Sequence, residues 1–251
     1  MALLSILDIS TTSWALALTA TCVLGISKAG IKGIAIIQVT LMALAFGAKE
    51  STGILVPLLV VSDIIAVMYY KRHTQWKYIF QFLPWMVLGV LIGVWIGKDL
   101  PENTFRLGMA GIILFSVGMM YWWDLKKSKN VPTHWAFAGF IGTIAGITTM
   151  IGNLAGAFSN IFFLAMRLPK NQFIGTAATL FLITNLFKLP FHVFVWETIT
   201  LDTLMINLRL VPGILLGFII GIRLVKIIKD DFYRKMILIL TAIGAVLILF
   251  R

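Results

Sequence analysis

Apolar runs separated by short basic or polar stretches recur along the whole chain, at about 12–27, 31–46, 53–70, 78–97, 104–123, 134–150, 153–167, 172–195, 203–222 and 235–250. A helix that crosses a bilayer needs about 20 mostly apolar residues. Six of the runs approach that length. The other four, 12–27, 31–46, 134–150 and 153–167, are short. They form two pairs, each joined by a glycine-containing break instead of a polar loop. The pattern predicts an all-α polytopic membrane protein of six long spans and two helical hairpins. Each hairpin either crosses the bilayer or dips in and returns.

Composition sharpens this. Of 251 residues, 60% are hydrophobic and 12% charged, against about 45–50% and 25% in soluble proteins. Too little polar surface is available to solvate a globule. A soluble enzyme, a disordered chain and a nucleic-acid binder are excluded. The net charge of +11 is therefore read topologically, because cytoplasmic loops collect Lys and Arg. Lys71, Arg72 and Lys77, then Lys126, Lys127 and Lys129, then Arg167 and Lys170, then Arg223, Lys226, Lys229, Arg234 and Lys235 fall on one side if each long segment crosses once. These are 13 of the 21 basic residues. Lys49, Lys98, Arg106 and Arg251 fall on the other side. The split predicts both termini outside the cytoplasm. Trp14, Trp76, Trp95, Trp122, Trp123, Trp135 and Trp196 lie near segment ends, as an interfacial aromatic belt requires. Cys22 is the sole cysteine, which excludes an intramolecular disulfide and a cysteine-based metal site. The N-terminus lacks the basic region and cleavage site of a signal peptide, so the first apolar segment is expected to be retained.

The halves resemble each other. Pro84, Gly89 and Gly93 recur as Pro212, Gly217 and Gly221, with Phe105-Arg106 matching Tyr233-Arg234 at the same offset of 128. Upstream the offset is 122, pairing Gly30 with Gly152, Gly53 with Gly175 and Asp63 with Asn185. The chain divides into a first repeat (1–123), a cytoplasmic connection (124–133) and a second repeat (134–251). Segment 53–70 ends at a basic loop, whereas 172–195 ends at Trp196, Glu197 and Asp202, so the repeats are expected to be inverted. Inverted repeats with interrupted helices characterise secondary transporters, whose substrate sites lie where the repeats meet. The spaced glycines of the two Pro-Gly-Gly helices are read mainly as helix-packing positions.

The candidate chemistry lies in the breaks. The first, at 25–33, holds Ser27, Lys28, Gly30 and Lys32. Freed N–H groups at a helix start attract anions, and lysine adds full charge. Alternatively Lys28 and Lys32 snorkel from an ordinary cytoplasmic turn. The second break holds Thr148, Thr149, Gly152 and Asn153, followed by Ser159 and Asn160, neutral groups that either line the same site or bond between helices. Asp63 is the one acid inside a span, a proton carrier or a countercharge. Lys188 either pairs with Asp63 or reaches the exterior, and Arg209 either joins the site or snorkels. No metal-ligand spacing, catalytic constellation or nucleotide-phosphate loop occurs, so neither an enzyme nor a resident cofactor or metal is expected.

The Gly25-Ile-Ser-Lys-Ala-Gly30 run, the short apolar segment after it and Pro57 resemble the TauE/SafE sulfite exporter family. So do the break at 146–156, Gly175-Thr176 opening a long span, and the repeated Pro-to-Gly-Gly helices. The resemblance covers nearly the whole chain. It implies a multi-pass bacterial inner-membrane transporter, exporting sulfite, sulfoacetate or a related small sulfur oxyanion. An uptake carrier for another small organic anion and a non-transporting sensor or assembly subunit are the alternatives. Either way the bilayer is a partner and nucleic acid is not.

Overall fold

The computed structural model describes residues 9–32, 34–101 and 135–228, with 103–104, 107–108 and 111. The expected connection 124–133, the segment 235–250, most of 104–123 and the Phe105-Arg106/Tyr233-Arg234 match lie outside the described residues. Among the described residues eight α-helices are delimited: α1 (Thr11–Ala29), α2 (Ala35–Phe46), α3 (Ala48–Tyr70), α4 (Trp76–Gly97), α5 (Trp135–Gly152), α6 (Ala155–Ala165), α7 (Lys170–Phe194) and α8 (Leu201–Ile227). A 3-10 turn, Lys71–His73, follows α3. No strand occurs among the described residues.

Helices α3, α4, α5, α7 and α8 are long and apolar enough to cross a membrane. One of the four segments read as short, 134–150, is thereby corrected to a helix of spanning length. Helix α1 runs for 19 residues and α5 for 18, about 27–29 Å at 1.5 Å per residue, close to the hydrocarbon thickness. The breaks begin later than glycine content implies, because Gly25 and Gly146 stay helical. A Cβ on Gly25 would meet Phe218 N at 2.6 Å, and one on Gly146 would meet Gly89 Cα at 2.7 Å. These glycines serve close helix contact, not helix termination. Of these eight helices only α2 and α6, of 12 and 11 residues, are short.

Glycine contacts give the helix directions. Along α8, Gly213 packs on Thr21, Gly217 on Cys22, and Gly221 on Ile26 and Ala29, so α1 and α8 are parallel. Along α4, Gly89 packs on Thr143 and Gly146, and Gly93 on Ile147 and Met150, so α4 and α5 are parallel. The spaced glycines of α4 and α8 are thus packing positions. Helices α3 and α7 are antiparallel: Gly175 at the start of α7 packs on Tyr70 and His73 at the end of α3, and Gly53 near the start of α3 packs on Thr198 beyond α7. Thr74 and Gln75 lock the first of these junctions through Thr179 and Thr176 hydroxyls at 2.9 Å each. Lys170 donates to the carbonyls of Val225 and Ile228. The basic stretches at 71–77, 167–171 and 223–226 therefore gather at one end of the molecule. Lys49, which donates to the Lys98 carbonyl, lies at the other.

Candidate functional site

Helix α1 ends where Gly30 adopts φ 131° and turns its N–H back to the carbonyls of Ile26 and Ser27. Only glycine takes this conformation without strain, and a Cβ there would also press on Ile174 at 2.6 Å. Helix α5 ends at Gly152, and Asn153 follows in the left-handed region at φ 56°, a conformation asparagine tolerates better than most residues. Its N–H bonds the Thr149 carbonyl at 3.0 Å. After each turn a short helix starts. Neither α2 nor α6 has a side-chain cap at its N-terminus, so their first N–H groups remain available.

The two breaks attach to opposite ends of α3. The Tyr70 hydroxyl donates to the Ala29 carbonyl at 2.8 Å, and Asn153 Nδ2 donates to the Thr52 carbonyl at 3.2 Å. Thr52 and Tyr70 are about 27 Å apart along the helix axis. The turns themselves are thus anchored at opposite ends of α3. The groups extending from them do converge, on one cavity of about 50 Å³. From the first half its wall includes Ser27, Lys28, Lys32, Gln38 and the first residues of α2. From the second it includes Thr149, Asn153, Asn160, Asn185, Phe181 and the first residues of α6.

Three buried ammonium groups lie in this region, in three different states. Lys28 pairs with Asp63 Oδ1 at 2.5 Å, and Asn185 Nδ2 donates to Asp63 Oδ2 at 2.7 Å. Asp63 is fully buried and off the cavity wall. Lys188 donates to the Thr149 carbonyl, the Thr149 hydroxyl and Asn153 Oδ1 at 2.9, 3.1 and 2.7 Å. Its three donors are satisfied, and it too is off the wall. The ammonium of Lys32 makes no hydrogen bond to a described residue. It lies 5.9 Å from the centre of the Phe181 ring, which Lys28 approaches at 5.1 Å. Lys32 is thus the wall's uncompensated cation.

Gly30 and Gly152 shape the turns and are buried away from the wall. Ser159 is buried with an unpartnered hydroxyl, also off the wall. Arg209 is exposed, with its guanidinium 5.8 Å from the Trp14 ring; it faces outward and is not brought to the cavity. Gln38 is a wall residue that the sequence reading missed. The signal was present: the 122-residue offset that pairs Gly30 with Gly152 also pairs Gln38 with Asn160. Among the described residues no cluster of His, Cys, Asp or Glu could hold a metal ion.

Interrupted helices arranged around a cation-bearing cavity define a multi-pass helical membrane transporter. The sequence matches the family described as Sulfite exporter TauE/SafE over residues 15–248, and the chain belongs to that family. Comparison with curated proteins gave no match, and comparison with solved structures gave none.

Proposed function

We propose that the protein moves a small sulfur oxyanion, sulfite or a close relative, outward across a bacterial inner membrane, binding it in the cavity between the two breaks. The observation that carries this reading is the convergence on one cavity of two uncapped helix N-termini and the unpaired Lys32. Helix N-termini carry partial positive charge and free N–H donors, and both favour an oxyanion. A cavity of about 50 Å³ holds about three to five water-sized groups at 10–15 Å³ each. That suits sulfite, one sulfur and three oxygens, better than the longer sulfoacetate. Outward direction rests on the family's description as exporters.

Asp63 is read here as the fixed countercharge of Lys28, since Lys28 and Asn185 engage its two oxygens. Inversion of the two repeats is supported by helix direction. Contacts make α3 antiparallel to its counterpart α7. Helix α4 runs back from the end of α3 with α5 parallel to it, whereas α1 and α8 descend together with α3. Each of these six helices thus opposes its counterpart, and glycines at matching offsets pack on partners in the other half. The periplasmic placement of both termini follows from the basic end facing the cytoplasm.

The test is flux. The purified protein reconstituted in liposomes should move sulfite down an imposed gradient, and sulfite should raise its melting temperature in detergent. Absence of both effects, in protein that is folded by circular dichroism, would leave the non-transporting reading in place.

A further inference from the structure

We infer that Lys188, which stands behind the cavity wall, sets the charge of the bound anion: together with Lys32 it makes the site select a doubly charged oxyanion over a singly charged one of the same shape. This deepens the proposed anion site and rests on it. The buried charges around the cavity do not cancel. Lys28, Lys32 and Lys188 are buried, and Asp63 is the one buried acid among the described residues. Three ammonium groups against one carboxylate leave two positive charges. The ion pair takes Lys28 and Asp63 out of the count. Lys32 is on the wall. Lys188 is one layer behind it, because the atoms it bonds belong to Thr149 and Asn153, both of which line the cavity.

Hydrogen bonding does not neutralise Lys188. Its acceptors are a carbonyl, a hydroxyl and an amide oxygen, all uncharged. The Asn153 amide cannot turn its nitrogen toward Lys188 without giving up the bond from Nδ2 to the Thr52 carbonyl. These acceptors match the N–H donors of an ammonium and hold it in place. Its charge acts on the cavity through surroundings of low dielectric, where Coulomb attraction is far stronger than in water. At the equivalent position of the first half, 122 residues earlier, the buried residue is Ala66, so the repeat packs there without a cation. A buried ammonium with no counter-ion is costly. A dianion in the cavity answers both Lys32 and Lys188, whereas a monoanion leaves one of them unanswered. Sulfite supplies two negative charges once it has lost both protons.

The experiment compares sulfate with fluorosulfate, in which fluorine replaces one oxygen and one negative charge is lost with little change of shape. Both are fully ionised at neutral pH, so their charges do not depend on the buffer. Each competes against sulfite in calorimetry on the full-length protein in detergent. The proteins are wild type, Lys188→Gln, Lys32→Gln and, as an outward-facing control, Arg209→Gln, with melting curves as a check on folding. Lys188→Met, which keeps the stem without the charge, stands in if the glutamine variant does not fold. Wild type should bind sulfate more tightly than fluorosulfate by about tenfold or more. A variant at either lysine should shrink that ratio to about threefold or less, and Arg209→Gln should leave it unchanged. A purely structural role for Lys188 would weaken both anions alike and keep the ratio. Sulfate no tighter than fluorosulfate in wild type, or an undiminished ratio in a folded variant at either lysine, overturns the inference and leaves the anion site standing. Failure of sulfite itself to bind wild type overturns the site reading as well.

Discussion

Three lysines in apolar segments look alike in the sequence and differ in what surrounds them. Lys32 is the unpaired member, so Lys32→Gln removes a charge-assisted bond worth about 1.5–3 kcal/mol. Sulfite affinity should fall by about ten- to a hundredfold with melting unchanged, measured by calorimetry and thermal shift; wild-type affinity would transfer the site elsewhere. Lys28→Gln should behave differently. It strands Asp63 in a fully buried position, and breaking a buried pair costs about 3–5 kcal/mol. The protein should melt at lower temperature, and adding Asp63→Asn should recover part of the loss in a double-mutant cycle. Additive losses would show that the pair is not coupled. Sequence spacing could nominate Lys28, Lys32 and Asp63. It could not assign their partners, because those partners come from other helices: Asp63 of α3 for Lys28, and Asn185 of α7 for Asp63.

Among the helices, glycine has two uses that sequence does not separate. Gly89 and Gly217 stand where a Cβ would drive into the backbone carbonyls of Thr143 and Cys22. Gly89→Val and Gly217→Val should each force parallel helices apart and cost at least the 1–3 kcal/mol typical of overpacking, seen as lowered melting temperature and loss of monodisperse protein. Gly156 is the contrast. Nothing lies within 4 Å of a Cβ built there, and the residue lines the cavity. Gly156→Ala should leave melting unchanged and reduce sulfite flux, since its methyl enters the space the anion needs; unchanged flux would place the anion away from α6. The same ambiguity explains what was legible in the helix pattern. Apolar length and period located all eight described helices. The ends of α1 and α5 were misjudged by about two residues, because Gly25 and Gly146 were read as breakers when they pack against Phe218 and Gly89. The residues that do end those helices, Gly30 and Asn153, are identified by positive φ, which depends on the chain's path and not on composition.

At the scale of the whole molecule, charge and contact make the same assignment by separate routes. Counting Lys and Arg assigns the loops to two sides without reference to packing. Contacts bring 71–77, 167–171 and 223–226 to one end without reference to charge: Gly175 lies on His73, and Lys170 bonds the end of α8. If that end is cytoplasmic, every described helix has a fixed direction, and Ser10, which caps α1, lies outside. Single cysteines introduced on a Cys22→Ala background test this in intact cells with a membrane-impermeant maleimide. Cys22 is the sole native cysteine and is half-buried against α8, where alanine fits without added bulk. Lys98→Cys, at the end that holds Lys49, should label from the periplasm. Arg72→Cys, in the exposed turn after α3, and Ser128→Cys, in the expected connection between repeats, should label only after lysis. Periplasmic labelling at 72 with protection at 98 would invert the molecule, and export from the cytoplasm would then have to begin at the opposite end of the cavity. Labelling of 72 and 128 on opposite sides would instead break the equivalence of the halves, because an inverted pair of repeats requires the connection to lie on the same side as the turn after α3.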